Sequence, residues 1–359
     1  MDDNITRRMQ DLEPFQGGRA ELAFAGDLAI ACNRLAKLTD QDLRASLDDD
    51  KIADDYDERL RQIDRHLSND LTHAVTTMTS DWLSREHGVI CEDAFEALGS
   101  QFTEQLDALD DGPTTLSTKS NFEQPEYHAR QWFHNTKGGW DGHRYMGTIQ
   151  AEFVHRRYVA AKYGTGLRQL RYDLLNELPE QRFDRILELG TSAGYFTEQL
   201  ARRFPDAELV GCDISLRMLQ QARRLGNELG HAWQLLQAPA EDTGLATASF
   251  DLVTSYAIFH EIPTVVAEQI WHETFRVLRP GGWVLMSDGL PYLDAIDKVS
   301  GWRFLFSWQR GGEPHAREYC STNEGELAQA AGFTYITEGL LGDRQSPRYT
   351  LARKPMDTQ

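Results

Sequence analysis

The sequence predicts an α/β fold: a doubly wound, mostly parallel, seven-stranded sheet preceded by an all-helical N-terminal domain. Three observations carry this. From Arg185 the chain reads as an apolar run, a small-residue loop, a helix and a second apolar run closing on Asp213, the order in which a parallel sheet builds a nucleoside pocket. Onward to Ser287, strand-length apolar runs alternate with helical periodicity. Before residue 110, apolar residues recur at helical spacing without strand-like alternation. The division falls near residue 165: residues 1–165 form a helical domain, with lid and dimerisation as its expected roles, and 166–359 form the nucleoside-binding domain.

Phe24, Leu28, Ala31, Leu35 and Leu38 mark the expected core stripe of the first helix. A second runs from about Asp50 to Arg85, with Ile52, Leu60, Ile63, Leu67, Leu71 and Val75 on one face. A third spans about Cys91 to Leu109. The acidic run Asp48–Glu58 suits a helix start, where carboxylates face the positive end of the macrodipole. Asp110-Asp111-Gly112-Pro113 then breaks the pattern.

The segment Trp132–Tyr145 is dense in aromatic and hydrogen-bonding side chains, with Gly138, Gly139, Gly142 and Gly147 as hinges. It is expected to fold as a lid over the carboxyl ends of the sheet. Trp140 and Tyr145 would then shield the reacting group, with Tyr145 a catalytic candidate, and His143 and Arg144 would orient the substrate. Helical sequence follows from Tyr145 to Leu178, broken at Gly164-Thr165-Gly166.

Strands are expected near 184–189, 207–212, 233–237, 250–255 and 282–287, with helices near 195–204, 215–229 and 264–278. After Asp288 comes an aromatic insert, then a helix at about 322–331 and strands Phe333–Glu338 and Arg348–Arg353.

The loop Gly190-Thr191-Ser192-Ala193-Gly194 lacks both the dinucleotide pattern G-x-G-x-x-G and a phosphate-binding Gly-Lys-Ser/Thr ending. It satisfies the G-x-S-x-G elbow of the α/β-hydrolases, which makes Ser192 a nucleophile in an alternative reading. The chain upstream of Glu188 carries no oxyanion loop of His-Gly-Gly type. The loop also resembles the first motif of the class I S-adenosylmethionine (SAM) methyltransferases, E/D-x-G-x-G-x-G, with Glu188, Gly190 and Gly194 in register and Ser192 replacing the middle glycine. Leu235–Asp242, Ser249–Ser255 and Phe275–Gly282 resemble three further segments of that family, so the likeness covers about residues 166–355.

The resemblance implies a Rossmann-like methyltransferase fold with an antiparallel last strand, and SAM as cofactor. Glu188, Gly190, Ser192, Gly194, Asp213, Ile214, Ala240, Glu241 and Ser255 are its expected contacts, Asp213 on the ribose hydroxyls and Glu241 on the adenine amine. On the acceptor side His260 is the first candidate base and Glu261 the second. In the insert, His315 and Arg317 are candidate substrate contacts, Arg317 as a two-pronged carboxylate clamp. Ser255-Tyr256-Ala257-Ile258 replaces the Asn/Asp-Pro-Pro-Tyr/Phe signature, which disfavours nucleobase and glutamine acceptors.

With 37 Lys plus Arg against 56 acidic residues, the formal net charge is −19, which repels phosphate backbones and anionic lipid. Neither nucleic acid nor membrane is an expected partner. Four cysteines without a C-x-x-C pair indicate no zinc site, no disulfide framework and a reducing cytoplasm, so no metal is expected. The N-terminus lacks the signal-peptide pattern. The sequence thus predicts in-line methyl transfer to a small-molecule acceptor by a homodimer formed through the helical domain. The alternatives are the Ser192 hydrolase and a SAM-binding scaffold without turnover.

Overall fold

The structure, a computed structural model, describes residues 14–160, 167–341 and 347–356. The break expected at Gly164-Thr165-Gly166 lies outside them. Four helices open the chain: α1 (Gln16–Ser46), α2 (Tyr56–Leu67), α3 (Leu71–Glu96) and α4 (Ser100–Ala108). The second expected helix is two, because the Asp70 side chain accepts the backbone N–H of His73 and caps a new start. The third begins at Ser100, after Gly99 adopts a left-handed φ of 75°.

Of the stripe expected to bury α1, Leu28 packs against the core while Phe24, Ala31, Leu35 and Leu38 face outward. Phe24 and Leu38 are 60% and 53% exposed, while Leu22, Ala25, Ala29 and Cys32 make the core contacts. The smaller side chains allow close helix packing: a Cβ on Gly18 would stand 3.0 Å from that of Ala94 on α3.

Residues 115–117 form a strand, β1 (Thr115–Ser117), within the region expected to be all-helical. After α5 (Glu126–Ala129), the aromatic segment folds as short 3₁₀ turns. Next come α6 (Met146–Thr148), which runs into a π-helical stretch over Ile149–Val159, and α7 (Leu167–Leu174). Gly147 is no hinge: a Cβ there would lie 2.3 Å from the Arg217 carbonyl oxygen, so it lets α6 press against a neighbouring helix.

The remaining elements are β2 (Arg185–Leu189), α8 (Tyr195–Arg203), β3 (Glu208–Asp213), α9 (Leu216–Glu228), β4 (Gln234–Gln237), β5 (Phe250–Tyr256), α10 (Thr264–Val277), β6 (Leu278–Asp288), α11 (Lys298–Arg310), α12 (Ala316–Cys320), α13 (Glu324–Ala330), β7 (Thr334–Leu340) and β8 (Arg348–Arg353). The sheet order is β1-β4-β3-β2-β5-β6-β8-β7, eight strands where seven were expected. The eighth is β1, which pairs in parallel with β4 at the edge. β8 runs antiparallel to both of its neighbours. Strand order reverses at β2, between β3 and β5, so their carboxyl ends open a crevice there.

Alternation along the strands divides the core between the two faces. Ile186, Leu209 and Leu252 pack with Phe196 and Leu219 of α8 and α9, whereas Leu187, Val210 and Val253 pack with Ile270 and Trp271 of α10. The helical unit is joined to this body by buried Arg224 of α9, which donates to Asp107 and Asp110 at 2.9–3.2 Å. Arg303 to Asp40 and Arg317 to Asp57, both at 2.8 Å, add further ties.

Candidate active site

A cavity of about 1700 Å³ opens at the strand reversal. Its floor is the β2, β3 and β5 ends, its walls include Tyr127, Phe133, His134 and Trp140, and α1 contributes Ile30, Arg34 and Lys37. The volume exceeds the ~300–1,000 Å³ of a pocket for one small ligand and accommodates two.

On the floor, β3 ends at Asp213. Its Oδ1 accepts the N–H of Ser215 and its Oδ2 that of Ser192, both at 2.8 Å. Each oxygen keeps acceptor capacity toward the cavity. Asp213 is half-buried at the cavity floor, and loss of water around it pushes its carboxyl up to about 7. Glu188, buried at the end of β2, accepts the Thr197 hydroxyl at 2.5 Å and is pushed up to about 8 by burial.

Gly190 and Ser192 line the cavity with positive φ values of 71° and 49°. Ile214, Ala240 and Glu241 line it too, with Glu241 accepting the Tyr127 hydroxyl at 2.7 Å. The arrangement fits a nucleoside: a carboxylate for two ribose hydroxyls, a floor with one residue lacking a side chain, and a second carboxylate 28 positions further along the chain.

Two expected cofactor contacts do other work. Gly194 is outside the cavity lining, and a Cβ there would press on Ala222 at 3.2 Å, so its freedom serves the α8–α9 contact. Ser255 is fully buried in β5, and Tyr256, Ala257 and Ile258 line the cavity instead.

On the acceptor side His260 and Glu261 both face the cavity. His260 Nδ1 lies 2.9 Å from each oxygen of buried Asp288. Its Nε2 is 3.7 Å from Glu313 and 4.0 Å from Glu261. Glu261 accepts the Trp140 indole N–H at 3.2 Å and stands 3.6 Å from His134 Nε2, while His134 Nδ1 pairs with Glu313.

Burial opposes charge on both rings, but the carboxylates outweigh it, Asp288 first for His260 and Glu313 first for His134. They are held up to about 9 and about 10. Glu261, which burial tends to raise, is held below its ordinary range by the His134 and His260 rings. In this state Glu261 is the ionised acceptor of a proton, and His260 carries its own.

Of the aromatic segment only Phe133, His134 and Trp140 among the described residues 132–145 line the cavity. Tyr145 points its hydroxyl at Asp107, 3.1 Å away, His143 pairs with Glu96 at 2.9 Å, and Arg144 pairs with Asp107 at 2.9 Å. All three anchor the helical unit. Arg317 is likewise spent on Asp57 and the Tyr56 ring, and His315 leans toward Glu318 at 3.5 Å, outside the cavity. Their charges attracted attention in sequence, but neighbouring acidic groups take them up.

His134, Glu313, Asp288 and Tyr127 are not marked by the sequence because their partners lie well along the chain, His260 from Asp288 and Glu313, Tyr127 from Glu241 and His134 from Glu313. Among the described residues Ser192 makes no hydrogen bond to a histidine, so the nucleophile elbow has no base.

A family model described as a methyltransferase domain matches residues 186–282. The malonyl-[acyl-carrier protein] O-methyltransferase of Legionella pneumophila is 33% identical over 103 residues, 29% of this chain and 35% of that protein. The ubiquinone/menaquinone biosynthesis C-methyltransferase of Desulfotalea psychrophila is 26% identical over 181 residues, 46% of this chain and 70% of that one. The ribosomal RNA small subunit methyltransferase C of Hahella chejuensis is 33% identical over 151 residues, 40% of this chain and 43% of its own. The chain thus spans about a third of the first relative's length, and the shared part is the sheet domain. Strand order, the Asp213 cradle and this match agree on a SAM-dependent methyltransferase domain over residues 186–282.

Proposed function

We propose that this chain transfers the methyl group of SAM to a small, anionic acceptor held between the sheet and the helical unit. The supporting observation is the cavity, which continues from the Asp213 cradle to His260 and Glu261 beneath α1. SAM supplies an activated methyl group whose departure leaves a neutral thioether, so the protein's task is alignment and exclusion of water. Asp213 and Glu241 hold the nucleoside, Trp140 fixes Glu261, and Glu261 takes the proton of a hydroxyl or ammonium acceptor. Arg34 and Lys37 face the same cavity and favour a carboxylate or phosphate on the acceptor.

Nucleic acid is disfavoured by the net charge of −19 and by α1 lying over the site. The test is incubation with isotopically labelled SAM and a metabolite extract. A labelled small molecule is the expected product. Label in RNA, or SAM binding with no labelled product, overturns the proposal.

The homodimer belongs to the outward faces of α1 and α3. They carry eight of the fourteen large apolar side chains exposed among the described residues, including Leu35, Leu38, Val75 and Met78, a concentration that marks an association surface.

A further inference from the structure

We propose that His134, His260, Glu261 and Glu313 bind a divalent transition-metal ion at the acceptor end of the cavity, and that the ion takes an oxygen atom of the methyl acceptor. The second half rests on the methyl-transfer reading above; the first does not.

One ligand atom from each of the four residues lies within 4.8 Å of every other. Donors about 2.1 Å from a shared ion stand roughly 3–4 Å apart, so small side-chain shifts close the set around an ion. Three features show that the cluster is built for a cation. Glu313 is only 2% exposed, and among the described residues the groups set against its oxygens are the His134 and His260 rings. Such a carboxylate, taken from water, is costly unless a charge compensates it.

The second feature is His260. Its Nδ1 is fixed by Asp288, and its Nε2 points at Glu313 and Glu261. A buried carboxylate behind one ring nitrogen is how metal-ligating histidines are oriented. The third is His134, which reaches the cluster at φ 53°, with Asn135 beside it at φ 55°. Left-handed backbone at non-glycine residues is strained and persists where the surroundings demand it.

Charge points the same way. Asp288, Glu261 and Glu313 place three carboxylates around two imidazoles. Without an ion, even protons on both rings leave this set one negative charge in excess. A divalent ion supplies the same two charges and frees the ring lone pairs to coordinate.

Two nitrogen and two oxygen donors without a thiolate suit Zn²⁺, Fe²⁺, Mn²⁺ or Co²⁺. The site shares its cavity with Trp140, Ile258, Arg34 and Lys37, so coordination positions left by the protein face the acceptor space. A carboxylate with an adjacent hydroxyl or carbonyl oxygen matches both the ion and the basic residues. Sequence spacing hid the set because its members come from three separate segments.

The test uses the full chain, stripped with a chelator and titrated with cobalt(II), followed by visible absorption and calorimetry. SAM affinity is measured in parallel. One cobalt(II) per chain is expected, with binding weakened by at least about a hundredfold in Glu313→Gln and His260→Ala, and by roughly 10–100-fold in Asp288→Asn. Unaltered SAM affinity in these variants shows that they are folded. Should they lose it, His134→Ala, at the partly exposed cavity side, is the replacement variant and carries the same expectation.

Stripped wild-type protein that binds SAM but neither cobalt(II) nor zinc overturns the site. So does cobalt(II) uptake unchanged in folded variants. Protein that takes cobalt(II) through these residues but does not bind SAM overturns the methyl-transfer reading and the ion's role toward the acceptor, and leaves the ion site standing.

Discussion

Asp213 joins two observations: it closes β3, and its carboxyl is pushed up to about 7 by burial. Asp213→Ala removes the acceptor of two ribose hydroxyls, each bond to a charged group contributing roughly 1.5–3 kcal/mol. Calorimetry should show SAM affinity falling by at least about tenfold. Hydroxyl donors bind the ionised form, so affinity should rise as pH increases through about 7, with proton release seen as a buffer-dependent enthalpy. Asp213→Asn should flatten that profile; an equally steep one refutes the assignment. The sign for stability is opposite. The folded carboxyl titrates above its unfolded value, so this group's contribution declines as pH rises from about 4 to 7. Asp213 was legible in sequence because a strand end and its loop are local features. Arg317 was misplaced because an arginine's partner is chosen by the tertiary fold, here Asp57 on α2.

Strands β2 to β8 were readable because short apolar or β-branched runs bounded by turn residues stand out within short windows, the central ones buried on both faces. The outward stripe of α1 was not. Leu35 and Leu38 obey helical spacing as well as the buried Ala25 and Ala29 do, and periodicity alone does not say which face meets α3. If that face joins two copies, Leu35→Glu with Met78→Glu should yield monomers in sedimentation experiments at a concentration where the parent is dimeric. A monomeric parent refutes the interface. Glycines separate in the same manner. A Cβ on Gly88, within α3, meets nothing within 4 Å, whereas one on Gly147 collides with the α9 backbone. In urea unfolding Gly88→Ala should stabilise by about 0.5–1 kcal/mol, through helix propensity. Gly147→Ala should destabilise by roughly 1–3 kcal/mol. Equal midpoints would contradict the packing described for α6 and α9.

The boundary near residue 165 followed the change from helices to strands, but the contacts do not respect it. Arg224 has almost no surface in water, while Asp107 and Asp110 keep 38% and 28% of theirs. Arg224→Ala should therefore cost about 2–4 kcal/mol, somewhat less than breaking a fully buried pair. One unfolding transition is expected, displaced as a whole; a low-temperature step confined to the helices would show that the two parts unfold separately. The three residues of β1 explain why such separation is unfavourable. They cover the outer edge of β4 with Thr115, Leu116 and Ser117, where an open sheet otherwise presents unpaired N–H and C=O groups. A fragment of residues 166–359 contains every strand of the matched family domain yet leaves this edge uncovered. It should self-associate through β4 in light scattering, whereas a fragment beginning at residue 112 should do so less. For anyone dissecting or recombining such enzymes, the practical unit of exchange is therefore set by where a sheet's edge is sealed.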